Sequence, residues 1–433
     1  MLASNALEPD NIAFIKWAKE NAITLDSLDV SPKSSNDKYL IAISNAIGDA
    51  KIVGLSEGYH NCREMMSLHH RIIQHLVTNH GFNTVVTETG LPESRIINDY
   101  VAGSNFENTE WMWKNGLNKM YSEWNEGRDL IEWMRQYNLS QNNALQYYGV
   151  DIGGFYENWK IPFQRMFGYL ETVDSDYEKE LSVEFCPFLD LMEEKARLAY
   201  NSLSSEEKDK LKIILDTAVD VSRSRRKVYV ENSTECEYQW FLQSMISFQL
   251  AENYYRNYND RCSAQPNKYV GLNGREIAMH DNILWVMRQQ NNAKVIWINH
   301  VIHTKTKTQY QDKIWGYYTP TGQMLRETFG KDLCVIGMVY GSGKYWKNWQ
   351  QPTDRVIATI PSADSNGIEK VLAAVGRDMF FINWEASDTK LWLHKTLSMR
   401  ENDYFIKIKP IEWDACIFIK NVTGATAYTT GSD

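Results

Sequence analysis

Glu57 and His60 in VGLSEGYH, and His300 and His303 in IWINHVIH, are residues able to move protons near neutral pH. A carboxylate three residues ahead of an imidazole can orient the ring, fix its tautomer and raise its basicity, so that it takes a proton from water. Acidic and polar residues are also favoured in a helix's first turn, which is the plainer reading of the same spacing. Glu88, which closes the apolar run in VVTETG, adds a second carboxyl group that is costly to bury without a partner. His300-x-x-His303 can supply proton donors, oxyanion stabilisers, metal ligands or helix caps. Together the five residues read as a hydrolytic acid–base site. They would also suit zinc or a di-metal centre, although the His-Glu-x-x-His string of one zinc hydrolase class is absent. We take the site as metal-free and expect no cofactor, with a divalent metal as the alternative.

Each motif ends an apolar, β-branched run, where an open α/β sheet gathers its ligands. Seven runs read as buried strands: KIVGL (51–55), NTVVTE (83–88), LQYYGV (145–150), KVIWIN (294–299), LCVIGMVY (333–340), MFFIN (379–383) and ACIFI (415–419). Most are continuous rather than alternating, as in a sheet covered on both faces. Between them Met65, Leu68, Ile72, Ile73 and Leu76 form one helical stripe, and RIINDYV (95–101) and DLIEWMRQY (129–137) repeat the pattern. The expected fold is α/β, a mostly parallel sheet flanked by helices. The strand signal nearly vanishes over 160–266, where Ser204 and Glu207 make a capping-box pattern. That stretch reads as an all-helical insertion domain, with 1–159 and 267–433 as the α/β catalytic core. Were the strands bearing Glu57 and Glu88 adjacent, Glu57, His60 and Glu88 would share one edge.

Composition narrows the function classes. A net charge of -9 argues against nucleic-acid binding, which needs clustered Lys and Arg. The six cysteines are scattered with no C-x-x-C pair, so they read as reduced thiols. The first residues lack a basic segment followed by an apolar one, and no apolar stretch approaches the roughly 18–20 residues of a membrane span. A cytoplasmic enzyme acting on a small molecule is expected, with no membrane or nucleic-acid partner and the oligomeric state open. The 15 Trp and 24 Tyr are enough to wall an apolar cleft, and Trp111 and Trp124 are candidates, though some rings must be core. Arg275 opens the helix ahead of IWINHVIH, where it would neutralise the acidic cluster, hold a substrate oxygen or make a helix-end ion pair.

Two patterns are decoys. Gly54-Leu55-Ser56-Glu57-Gly58 matches the G-x-S-x-G nucleophile elbow but follows what reads as the first strand of the sheet, with only His394 as a late histidine. Gly341-Ser342-Gly343-Lys344 lacks the upstream glycine and the following Ser or Thr of a phosphate loop, and reads as a turn.

The ordered segments GLSEGYH, GFNTVVTETG, WMRQYN, YYGVDI, RE-I-AM-HDN, KVIWINHVIH and TGQMLRETFG resemble blocks of the erythromycin esterase family, over about residues 45–345. The resemblance implies a hydrolase that opens a macrolactone with water, without a covalent serine intermediate, and so confers antibiotic resistance. By that likeness His60 is the base that activates water, with Glu57 beside it and Glu88 as a second catalytic carboxylate. His300 and His303 are the pair that stabilises the oxyanion or protonates the departing alkoxide. The implied fold is an α/β core with a helical insertion and an open cleft. Three positions depart from the family: Ser56 where Gly is usual, His69 where an Arg often follows the catalytic histidine by nine residues, and Val301 within His-Val-Ile-His. Arg71, near His69, joins Arg275 among the substrate-binding candidates, although it would face elsewhere on its helix. The departures bear on substrate more than on catalysis. The alternative is therefore an esterase or cyclase acting on a non-macrolide ester in secondary metabolism or exopolysaccharide synthesis. From another class comes a non-catalytic ligand-binding protein.

Overall fold

The computed structural model describes residues 8–30, 37–141, 145–154, 158–193, 196–257, 272–291, 293–307, 318–348, 354–401 and 404–429. Its strands begin with β1 (Ile23–Thr24), β2 (Ile52–Glu57), β3 (Thr84–Gly90), β4 (Gln146–Asp151), β5 (Val295–His300) and β6 (Leu333–Lys347). There follow β7 (Val356–Thr359), β8 (Met379–Asn383), β9 (Leu397–Glu401), β10 (Tyr404–Ile408) and β11 (Ala415–Val422). One sheet has the order β1-β8-β11-β6-β2-β5-β3-β4, with β7 paired to β6, while β9 and β10 make a separate ladder. From β11 to β4 every pairing is parallel, and β8, β1 and β7 join antiparallel. All seven expected strands are present, in the expected α/β fold.

The continuous apolar runs explain this layering, since successive strand side chains point to opposite faces. Val53, Leu55, Val85, Ile296 and Ile336 belong to one apolar cluster, and Ile52, Val86, Val295, Trp297 and Val335 to another. The helix Arg63–His80 lays Met65, Leu68, Ile72, Ile73 and Leu76 on the first cluster. The helix Leu272–Gln289 lays Met279, Ile283 and Val286 on the second. Each such side chain stabilises by about 1.5–3 kcal/mol when fully buried, so the stripes decide which face of each helix meets the sheet.

Between β4 and β5 the described chain is helical, from Lys160–Val173 to Glu235–Arg256, around a third cluster that includes Phe163, Phe185, Leu215 and Phe248. Ser204 caps its helix reciprocally: the Glu207 N–H donates to its hydroxyl at 3.2 Å, and the Ser204 N–H donates to the Glu207 carboxylate at 2.7 Å. The third cluster also takes in Ile152, Trp159 and Ala278, from either side of the helical stretch. Residues 258–266, the expected end of the insertion, lie outside the described residues, and so does Cys262. Cys62, Cys186, Cys236, Cys334 and Cys416 are free thiols. Among the described residues no helix is long and apolar enough to cross a membrane.

Two expectations change. β5 lies between β2 and β3, so the strands bearing Glu57 and Glu88 are not neighbours. Gly341-Ser342-Gly343-Lys344 is not a turn but part of β6, with Ser342 opposite Asn421 and Gly343 opposite Val422 of β11. Gly343 has φ 134, and a Cβ there would sit 1.9 Å from the Val422 carbonyl oxygen, so glycine is what lets the two backbones close.

Candidate active site

The ends of β2, β5 and β3 deliver the acid–base residues side by side. Glu57 closes β2, and its register partner on β5 is His300. Glu88 lies where the pairing of β3 with β4 slips between Thr87 and Gly90, the kind of irregularity that re-aims a side chain. After β2, Gly58 leaves room for its neighbours: a Cβ there would lie 2.8 Å from Met399 Cε of β9 and 3.3 Å from the Tyr340 ring. Asn61 then takes φ 63, a left-handed conformation asparagine tolerates better than most residues, ahead of the helix Arg63–His80.

His60 Nδ1 lies 2.8 Å from Glu57 Oε1. The His60 side chain is 11% exposed, against 3% for His300 and 1% for His303, so His60 is the one of the three that solvent reaches. Burial alone would lower its pKa, but the Glu57 hydrogen bond and the charges of Glu57, Glu88 and Glu401 outweigh it and raise the pKa above the usual value. With Nδ1 committed to Glu57, proton exchange falls to Nε2. The His300 ring stands 4.7 Å from that of His60, centroid to centroid. Burial and the nearby His60 hold His300 well below the ordinary histidine range, so its ring is neutral.

Behind these two histidines lies a buried ion network. Arg275 donates from Nε to Asp151 Oδ1 at 2.9 Å, and from Nη2 to Asp151 Oδ2 at 2.5 Å and Glu88 Oε1 at 2.6 Å. His303 Nδ1 is 2.5 Å from Glu276 Oε1, while Glu276 Oε2 accepts from the Thr321 N–H at 2.8 Å and the Thr321 hydroxyl at 2.7 Å. His303 Nε2 is 3.7 Å from Glu88 Oε1. Glu88, Asp151 and Glu276 against one guanidinium leave two net negative charges, and a protonated His303 leaves one. Burial alone would lower the His303 pKa, but Glu276 above all, with Glu88, raises it to about 9. The 3.1 Å approach of Arg275 Nη1 to Nε2 would suit a neutral ring; the charge balance favours the cation. Glu88, which burial alone would raise, is held well below the carboxylate range by Arg275 and His303.

Glu57, His60, Glu88, Arg275, His300 and His303 thus meet at one sheet edge. Arg71 and Trp124 lie elsewhere, and Arg275 is in the cluster but tied to its acids. The Arg275 guanidinium is engaged by Asp151 and Glu88, so it neutralises the acidic cluster rather than holding a substrate oxygen. Arg71 is buried and pairs with Asp37 and the Tyr39 hydroxyl, on and just ahead of the helix Lys38–Ile47. Trp124 is fully buried, its ring 5.5 Å from Trp346 and 5.0 Å from the Arg355 guanidinium, which makes it core rather than cleft wall. Trp111 is 40% exposed. His69 is buried and its pKa is lowered by desolvation, with Glu57 pulling the other way, so a neutral ring stands where the family's cation is usual. Ser56 is buried in β2, and the Thr304 hydroxyl donates to it at 2.8 Å. Among the described residues no three His, Cys, Asp or Glu side chains are placed to hold a metal, and Arg275 occupies the midst of the carboxylates a cation would use.

The sequence reading assigns no role to three acidic residues. Asp151 ends a buried strand just as Glu88 does, so the same reasoning would have flagged it. Glu276 follows Arg275 in the segment already singled out. Glu401 belongs to β9, which carries no strong strand signal, yet its Oε1 lies 3.3 Å from His300 Nε2.

A model of the erythromycin esterase family matches residues 77–422, a span that begins after Glu57 and His60 and contains the rest of the cluster. Erythromycin esterase type II of Escherichia coli is 24% identical over 348 residues, covering 76% of this chain and 78% of that protein. A Bacillus cereus protein of known crystal structure superposes with a TM-score of 0.80 at 22% identity, over 98% of this chain and 100% of that one. A succinoglycan biosynthesis protein gives 0.77 at 18% identity, over 97% and 100%. A histidine-to-asparagine mutant of the erythromycin esterase EreC, in its open conformation, gives 0.74 at 15% identity, over 95% and 100%. With the family model spanning most of its length and the fold shared from end to end, the chain belongs to the erythromycin esterase family, whose class is that of ester hydrolases acting on small molecules.

Proposed function

We propose that the protein opens the lactone ester of an erythromycin-type macrolide with water and so confers resistance to it. The observation that carries this reading is the Glu57–His60 pair at the sheet edge, with its accessible imidazole 4.7 Å from a second, neutral one. Water attacks the lactone carbonyl carbon while its proton passes to His60 Nε2 and the carbonyl electron pair moves onto oxygen. Collapse of the tetrahedral species breaks the acyl–oxygen bond, and the proton on His60 passes to the departing alkoxide. The product is a hydroxy acid, heavier by one water. Of the two histidines expected to meet the developing charge, His300 stands beside His60, while His303 acts from behind by keeping Glu88 ionised. Loss of one stabilising group in such a site typically costs about 10²–10³ in rate. We place no metal in the reaction, because Arg275 already pairs with the carboxylates a cation would use.

The structural neighbour titled as a succinoglycan biosynthesis protein favours a second reading, in which the same site acts on a non-macrolide ester of secondary metabolism or exopolysaccharide synthesis. Mass spectrometry of an erythromycin-type macrolide incubated with the wild type, His60→Ala and Ser56→Ala decides between them. A gain of one water lost only in His60→Ala supports macrolide hydrolysis. No gain in any sample, with turnover of simple esters, supports the second reading.

A further inference from the structure

The β9–β10 ladder stands apart from the main sheet, yet it packs on the catalytic motif and is locked in place by a buried arginine. Arg400, 1% exposed, donates from its backbone N–H to Glu369 Oε1 at 2.6 Å and from Nη2 to the Tyr340 carbonyl at 3.1 Å. It also reaches the carbonyls of Pro361 and Gly341. Met399 fills the space above Gly58 that a Cβ would need. The next residue, Glu401, is 1% exposed; its Oε1 lies 3.3 Å from His300 Nε2 and accepts from the Tyr404 hydroxyl of the facing strand. A carboxylate buried this deeply is costly without partners of its own.

We propose that Glu401 is the positioning residue for His300, completing a second Glu–His pair that faces the Glu57–His60 pair. The inference rests on the esterase reading for its rate consequences only, since the geometry stands by itself. The neutral His300 ring has one proton and two flanking acceptors: the Gly58 backbone, to which it is hydrogen-bonded, and the Glu401 carboxylate, 3.3 Å from Nε2 but not aligned with it as a hydrogen bond. A charged acceptor draws a proton more strongly than a neutral one, so the positioning role assigns the proton to Nε2 and leaves Nδ1 against the Gly58 backbone. Tyr404 fixes Glu401 in turn, which makes the ladder part of the machinery rather than an appendage. Burial, His60, Glu88, His303 and the Gly58 backbone set the titration of His300, and Glu57 from the β2 end, Arg275 behind and Glu401 with Tyr404 from the ladder are the other charged and titratable groups around it.

Long-range proton–nitrogen NMR of the ¹⁵N-histidine-labelled protein tests this without substrate, the His300 signals being those lost in His300→Gln. The expected result is an Nε2–H tautomer in the wild type that shifts toward Nδ1–H in Glu401→Gln. A smaller shift in the same direction is expected in Tyr404→Phe, and restoration in Glu401→Asp. Ester turnover should fall roughly 10–100-fold in kcat for Glu401→Gln, with KM within about twofold. An unchanged His300 tautomer and titration in Glu401→Gln overturns the proposal. Should Glu401→Gln fail to fold, Tyr404→Phe carries the comparison, and a His300 spectrum identical to that of the wild type overturns the proposal. A tautomer shift with no ester turned over by the wild type would uphold the positioning role and count against the esterase reading instead.

Discussion

Replacing Glu276 with glutamine should flatten the alkaline half of the protein's stability profile. His303 is wholly buried 2.5 Å from Glu276, and its pKa is raised to about 9. A histidine in the unfolded chain titrates near ~6.5, so the folded state holds this proton more tightly. Stability from this source is complete below about pH 6.5 and is lost as the pH rises through about 9. At roughly 1.36 kcal/mol per pKa unit, the interval from 6.5 to 9 corresponds to about 3 kcal/mol. Glutamine keeps the shape of Glu276, and its carbonyl oxygen still accepts from Thr321, but the charge is gone. Burial and Arg275 then both act to lower the His303 pKa, and the linkage disappears. The assay is urea unfolding followed by tryptophan fluorescence, from pH 6 to 9.5, for both proteins. Other groups titrate alike in the two and cancel in the difference. The wild-type unfolding free energy should fall by about 3 kcal/mol more than that of the variant over this range. Parallel curves, within about 0.5 kcal/mol, would refute a protonated His303 and the charge balance that explains it.

The raised His60 pKa places the base limb of kcat/KM above the usual histidine value, because the ring must be neutral to accept a proton. Glu57→Gln should move that limb to lower pH and reduce kcat by roughly 10–100-fold; an unmoved limb would remove Glu57 as its cause. Steady-state kinetics should show His60→Ala losing about 10²–10⁴ in kcat, with Ser56→Ala within a few-fold of wild type. Loss of the Thr304 partner in Ser56→Ala should cost about 1 kcal/mol of stability. Arg71→Leu strands Asp37 without its buried cation and should destabilise by roughly 3–5 kcal/mol in denaturant, with KM unchanged; a selective rise in KM would return Arg71 to the substrate site. Asn61→Val should cost about 1–3 kcal/mol through its positive φ, and Asn61→Gly distinctly less, by the same measurement.

Which parts of this were readable in advance follows from how local each signal is. The parallel strands announced themselves because both of their faces are buried, leaving runs such as KVIWIN with no polar side to blur them. The helix Arg63–His80 showed its stripe for the converse reason, having one face on the sheet. β9 and β10 were invisible: LSMRE and YFIKI alternate only partly, and their place is set by a distant clamp, Arg400 with Glu369 and the β6 carbonyls. Glu401 was lost with them. Arg71 and Trp124 were misplaced for another reason. Chemical type nominates an arginine or a tryptophan for binding, but only packing tells whether its partner is a substrate or Asp37 and Trp346.

Strand order, which no local signal encodes, is what turns the five residues into a graded site. Had β2 and β3 been neighbours, Glu57 and Glu88 would have faced each other directly, two carboxylates with nothing between them and a strong drive for one to stay protonated. With β5 inserted, His300 takes that middle position and the two acids serve different histidines. Glu57 serves the partly accessible His60, and Glu88, with Glu276, serves the buried His303. The three imidazoles consequently rest in three electrostatic states: raised and partly accessible, neutral and buried, cationic and buried. The proposed mechanism needs a base that exchanges protons with water, which fits the first position, and the third suits a fixed counter-charge for the carboxylates. The insertion of one strand thereby separates groups that would otherwise compete for the same proton.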